Sequence, residues 1–286
     1  MDPRVAIDLG FWKIHWYGII ITASMMMAIF IITLEARRRG ENPNIIADNA
    51  LWVILAGVVG ARLYHVFSTP NDGSGTGLNY YLQNPLQILA VWNGGLGIFG
   101  ALIFGLVAVV VVILRNKLRL MRWLDMIVPG VILAQAIARW GNYVNQELYG
   151  GPTGSNLWGI LIDAPYRIKA GQFDFTDLDK YPLNTRFHPT FFYESMWNLV
   201  GFILMMLGGR RLKNVLRDGD LAGFYFIWYG IGRGWIELLF RPDAWTIGAL
   251  PTAVWVSLAL IVVGVIVIMA NHARPRTEAD VWPIDK

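Results

Sequence analysis

LDMIVPGVILAQAIARWGNYVNQELYG, residues 124–150, decides how this chain is built. It opens as an apolar run long enough to enter a bilayer and closes on Arg139, Asn142, Asn145 and Glu147, where hydrocarbon or its boundary is expected. Ionisable groups at that depth are costly unless they face a bundle interior or a wet cavity, so they mark a functional path.

The rest of the chain agrees with a membrane reading. Hydrophobic residues make up 55%, charged residues only 15%, and there are 13 tryptophans; a soluble domain carries about 25% charge. Seven apolar segments approach spanning length, near residues 14–34, 50–67, 96–114, 124–141, 190–208, 221–240 and 249–270, the second and fourth being short. The expected fold is all-α, a polytopic membrane protein of seven transmembrane helices forming one membrane domain over 1–286. Alternate loops differ in basic charge: 36–49, 115–122, 209–219 and 271–286 together hold 14 Lys and Arg, and the longer opposite set holds 7. Basic loops stay cytoplasmic, which predicts an outside N-terminus and a cytoplasmic C-terminus.

The residues before the first segment are few and mixed in charge, so no cleavable signal peptide is expected. With no cysteine in the chain, disulfides, thiolate nucleophiles and Cys-bound metals drop out, and any thiol in the chemistry belongs to a substrate. The formal charge of +4 is accounted for by topology and anionic headgroups, with no call for nucleic acid. Asn71–Tyr80 reads as a flexible Gly- and Ser-rich tip. Residues 142–188 are too polar to span and rich in Trp, Tyr and Phe, so a small outer cap on the membrane surface is expected.

With that orientation, Arg62, Arg139 and Arg233, together with His15, Trp16, Tyr17, His188, Tyr193 and Glu194, fall at one level, the outer headgroup boundary. Tyr229, Arg233 and Glu237 are four apart and share a helical stripe, as Arg139, Asn142 and Tyr143 share a face. The plainer accounts are an i,i+4 ion pair for Arg233 and Glu237, and snorkelling for Arg139. Two guanidinium groups at equal depth suit a phosphate, and a phospholipid headgroup is the phosphate found there. Gly95–Gly100 matches GxGxxG but opens a membrane helix with no preceding strand, so Gly97, Ala101 and Gly105 are read as a small-residue packing face.

The chain resembles the prolipoprotein diacylglyceryl transferase family. The resemblance is carried by Ile14-His-Trp-Tyr-Gly18, Gly60-Ala-Arg62, Trp92-Asn-Gly-Gly95, Arg139-Trp-Gly-Asn-Tyr-Val-Asn-Gln-Glu-Leu-Tyr-Gly150, His188-Pro-Thr, Tyr193-Glu194 and Tyr229 through Asp243, in family order. It implies seven transmembrane helices in the bacterial cytoplasmic (inner) membrane and a reaction at the outer leaflet. In that reaction phosphatidylglycerol gives its diacylglyceryl group to the lipobox cysteine of a preprolipoprotein, and glycerol phosphate leaves. On this reading Arg139 and Arg233 hold the phosphate, and Asn142 orients the glycerol. Glu147 organises the loop or caps the helix, and Tyr17, Trp92 and Tyr229 line the lipid cleft. Arg62 and Glu237 join the lipid-binding set. Membrane lipids and lipobox peptides are the partners, and no metal or organic cofactor is implied.

One position departs from the family. Many members carry a histidine followed by two small residues in the outer part of the third helix, a candidate base; here Phe99-Gly-Ala stands there. Of the four histidines, His188 is the one at the right depth beside Tyr193 and Glu194, as a catalytic group or as a lid-to-helix hydrogen-bonding residue. The alternatives from other classes are a transporter or flippase, a lipid-binding scaffold, and an inactive family member. A transporter predicts midplane broken helices and inverted repeats; the others predict no turnover.

Overall fold

The computed structural model describes residues 4–10, 13–68, 77–91, 94–170, 173–242, 244 and 246–275. The Asn71–Tyr80 tip falls mostly outside these residues, as do Trp92 and Asp243. Among the described residues eight α-helices form: α1 Trp16–Arg38, α2 Asn44–Ser68, α3 Leu78–Gln83, α4 Ile98–Arg115, α5 Leu120–Asn145, α6 Thr190–Arg211, α7 Asp220–Phe240 and α8 Thr252–Ala273. Each of the seven apolar segments falls on a long helix. Six of these, all but α7, are long and apolar enough to cross a membrane. Glycines, tyrosines and the Arg233–Glu237 pair lower the hydropathy of α7, although its 21 residues suffice in length. α2 and α5, expected to be short, are the longest at 25 and 26 residues, because helical hydrogen bonding continues into polar turns beyond the apolar run.

The chain divides into two compact units, Glu41–Trp123 and the remainder, Met1–Gly40 with Leu124–Lys286. In the smaller unit α2 and α4 touch backbone to backbone. A Cβ at Gly100 would lie 2.0 Å from the Gly60 carbonyl oxygen, and one at Gly97 would lie 2.4 Å from the Tyr64 ring. Gly105, expected on this face, has nothing within 4 Å. The packing face thus runs through Gly97 and Gly100, and small residues let the two backbones meet as in other membrane helix pairs.

In the larger unit α6 and α7 are joined by a reciprocal tryptophan clasp. Trp197 Nε1 donates to the Trp228 carbonyl at 2.9 Å, and Trp228 Nε1 donates to the Trp197 carbonyl at 3.0 Å. The two rings stack with centroids 4.4 Å apart. Each indole lies over a glycine of the opposite helix: a Cβ at Gly232 would meet Trp197 Nε1 at 2.2 Å, and one at Gly201 would meet Trp228 Nε1 at 2.4 Å. Glu194 lies one turn before Trp197, and Arg233 directly follows Gly232, so this clasp sets their relative height. α8 closes on α7 through Gly223 and Gly264, where a Cβ at Gly264 would lie 2.5 Å from the Gly223 carbonyl oxygen.

The far ends of these helices are held by charge. Asp125 on α5 is wholly buried and accepts the backbone N–H groups of Gly219 at 2.8 Å and Ala222 at 2.9 Å, capping the start of α7. Arg39, also buried, lies 3.8 Å from the Asp125 carboxylate. Glu35 on α1 pairs with Arg38 at 2.6 Å and with Arg210 of α6 at 3.1 Å.

Beyond the end of α5, the described residues of 146–188 form a small folded segment. Short strand pairs, Ile160–Leu161 with Arg186–Phe187 and Lys169–Ala170 with Phe173–Asp174, surround a core of Tyr149, Ile162, Phe175 and Phe187. Arg167 ties it together, donating to the carbonyls of Ile162, Tyr181, Pro182 and Leu183.

Replacing Asp125 with Ala removes the cap and the nearer of the buried carboxylates beside Arg39, Glu35 remaining at 4.0 Å. The expected loss is about 3–5 kcal/mol, as for one partner of a buried pair, read as a lowered thermal unfolding midpoint in detergent relative to an Asp48→Ala control.

Candidate active site

The site is built around one carboxylate. Glu194, in the first turns of α6, is 5% exposed. Its Oε2 lies 2.5 Å from Nη2 of Arg139 on α5, and its Oε1 accepts from Nη1 of Arg233 on α7 at 2.8 Å. Arg233 Nη2 lies 2.7 Å from Oε2 of Glu237, one turn along α7, a charge contact whose angle is not that of a hydrogen bond. Three helices therefore deliver two cations and two anions to one cluster. The two arginine side chains are 21% and 20% exposed against 6% for each carboxylate.

The remaining expected residues distribute around this cluster or away from it. Tyr17 packs on α5 beside it, for a Cβ at Gly141 would lie 2.8 Å from the Tyr17 ring. Asn142 turns away from Arg139, its Nδ2 donating to Glu147 Oε1 at 2.8 Å, and Asn145 Nδ2 reaches the same oxygen at 3.3 Å. Glu147 thus gathers both asparagines and closes the α5 terminus, where Gln146 and Leu148 adopt positive φ of 53° and 55°. Tyr143, which shares the Arg139 face in sequence, stacks instead near Phe191 at 4.9 Å. Tyr229 stacks on Tyr225 at 5.8 Å, and the Tyr225 hydroxyl accepts from Gln135 at 2.9 Å.

His188 is engaged at the joint between α6 and the segment that follows α5. Its Nδ1 is 3.0 Å from the Tyr193 hydroxyl, which accepts from Trp158 Nε1 at 2.9 Å, and its backbone pairs with Gly150 and Gly151. Burial holds its pKa below the ordinary histidine value. In the smaller unit, Arg62 donates to the carbonyls of Gln87, Ile88, Gly94 and Gly95. Four carbonyls leave the guanidinium little to offer a ligand, and it organises the loop before α4. Phe99, at the family histidine position, lies 5.8 Å from the Tyr64 ring.

Sequence reasoning placed Arg139 and Arg233 together but gave Glu194 no role. The signal was available: two arginines inside apolar helices require acids in the same bundle, and Glu194 and Glu237 are the two acids at that end of the spans. The tryptophan clasp had no such signal, because its hydrogen bonds link positions 31 apart.

This buried charge cluster joins α7 to α5 and α6, two of the six helices that suit a bilayer, and the fold is that of a multi-pass membrane protein. The sequence model for prolipoprotein diacylglyceryl transferase matches residues 4–270. Among similar proteins, the phosphatidylglycerol–prolipoprotein diacylglyceryl transferase of Streptococcus mutans serotype c is 38% identical over 285 residues, covering 96% of this chain and 98% of its own. Those named likewise from Streptococcus agalactiae serotype Ia and Synechococcus elongatus are 35% and 34% identical, covering 94% and 96% of this chain and 96% and 89% of theirs. The chain belongs to the prolipoprotein diacylglyceryl transferase family, and the family is one of transferases.

For His188 the sign of the pH effect follows from its lowered pKa. Folding favours the neutral ring, so its contribution is complete above the unfolded value of about 6.5 and is lost as pH falls from there towards the lower folded value. Amide exchange at Gly150 and Gly151, corrected for intrinsic rate, is expected to quicken across that window, and His188→Gln is expected to flatten the response.

Proposed function

We propose that this chain moves the diacylglyceryl group of phosphatidylglycerol to the lipobox cysteine of a preprolipoprotein, in a bacterial cytoplasmic membrane at the outer leaflet. The bridging of Arg139 and Arg233 by one buried carboxylate carries this reading, since it prepares two guanidinium forks for a single phosphate. Family membership supplies the substrates, and the absence of cysteine from the chain agrees with a thiol that arrives on the peptide.

In the reaction the peptide sulfur, as thiolate, attacks the glyceryl carbon bonded to the phosphate oxygen. The S–C bond forms as the C–O bond breaks, and the electron pair leaves on the phosphate oxygen of glycerol phosphate. The thiol proton ends on that phosphate or in water. Arg139 and Arg233 stabilise charge growing on the leaving oxygen, an effect aimed at the transition state. Asn142 and Glu147 shape the turn over the phosphate, and Tyr17 and Tyr229 flank it. We assign Arg62 to loop organisation and His188 to the joint of the outer segment, and with Phe99 in the third long helix we assign no protein side chain as a dedicated base. In this proposal α7 also spans, which makes seven, the N-terminus is outside, residues 142–188 cap the outer face, and 1–286 is one membrane domain.

The test is transfer of labelled diacylglyceryl from phosphatidylglycerol to a lipobox peptide by purified protein in lipid nanodiscs. Thioether product is expected from the unmodified protein. Arg139→Ala and Arg233→Ala are each expected to lower kcat/KM by about 10²–10³-fold, the cost of losing one charge-stabilising donor. Absence of product from folded, lipid-binding protein would overturn the assignment in favour of a binder or transporter.

A further inference from the structure

Glu194 is more than a neutraliser. A carboxylate presents two oxygens in one plane much as a phosphodiester presents its two non-bridging oxygens, and each oxygen of Glu194 engages a different guanidinium, from a different helix. The arginines are thereby spaced for a two-oxygen anion before any substrate arrives. Bare, two guanidinium groups at this depth repel each other and lose hydration without compensation. With Glu194 and Glu237 the cluster carries two positive and two negative charges, and each arginine side chain remains partly exposed.

We propose that Glu194 is the positioning residue of the transfer site: its buried carboxylate templates the spacing of Arg139 and Arg233, and the lipid phosphate binds their outward edges while Glu194 stays in place. This rests on the reaction proposed above. Both oxygens of Glu194 are already engaged by guanidinium groups, and its part is geometric and electrostatic.

A positioning role separates kcat from KM. Glu194→Gln keeps the shape, removes the charge and turns an NH2 group towards one guanidinium, which releases at least one arginine from its template. Misplacing a transition-state group by about 1 Å costs about 10²-fold in rate, so kcat is expected to fall about 10²-fold. KM for phosphatidylglycerol is expected not to rise, because the variant lacks the anion that shares the arginines with the phosphate. In an Arg139→Ala background the same change is expected to cost less than about threefold, since the pair to be spaced no longer exists.

The experiment measures kcat and KM for phosphatidylglycerol with unmodified protein, Glu194→Gln, Arg139→Ala and the double variant, in nanodiscs and per folded molecule by size exclusion. Should Glu194→Gln not fold, Glu194→Asp replaces it, keeping the charge on a side chain one methylene too short to reach both arginines, with the same expected loss of kcat. A kcat within twofold of the unmodified enzyme, additivity with Arg139→Ala, or a raised KM at constant kcat would each overturn the positioning role. No product from the unmodified protein would instead overturn the reaction itself, so the two failures are distinct.

Discussion

A bilayer supplies no water to a charge carried inside a helix bundle, so every intramembrane cation in this chain must find its partner within the protein. Arg139 and Arg233 find theirs in Glu194, and Arg233 finds a second in Glu237. The requirement fixes more than a contact. It forces α5, α6 and α7 to present three side chains at one height, which in turn demands that the helices pack closely and without slippage. The reciprocal Trp197–Trp228 bonds and the glycines beneath them answer that demand within about one helical turn of the charges.

The same solution appears at the opposite end of the larger unit with different residues. There Asp125 accepts the first amides of α7, and Glu35 collects Arg38 and Arg210. The two clusters differ in openness. Asp125 and Arg39 are sealed, whereas the side chains of Arg139 and Arg233 are partly exposed. Both sets of charges hold helices together, and they differ in how far their cations are covered.

Much of this was legible in the chain. Apolar runs located every long helix among the described residues, and the polar tail of residues 139–150 supplies Arg139 of the charge cluster. Helix lengths were underestimated at α2 and α5 because hydropathy records where apolar side chains stop, while backbone hydrogen bonding continues through Asn44–Asn49 and Gly141–Asn145. Spacing along one helix correctly paired Arg233 with Glu237. It gave no hint that Asn142 bonds to Glu147 past the helix end, nor of the carbonyls that Arg62 binds 25 to 33 residues away. Local periodicity reports which face a residue occupies, and the partner across that face is chosen by packing.

The tryptophan clasp also turns sliding of α6 against α7 into a stepwise affair. Both indole bonds run between the same two residues, so any axial displacement strains them together and drives each ring off its glycine into a neighbouring Cβ. One residue of slip is about 1.5 Å and already lifts both rings, while the next position with comparable side-chain directions is a full turn away, about 5.4 Å. Between those heights there is no well-packed intermediate. The two helices therefore behave as a ratchet pawl set in its notch, and the height of Glu194 relative to Arg233 is a discrete quantity, insulated from the thickness fluctuations of the surrounding lipid.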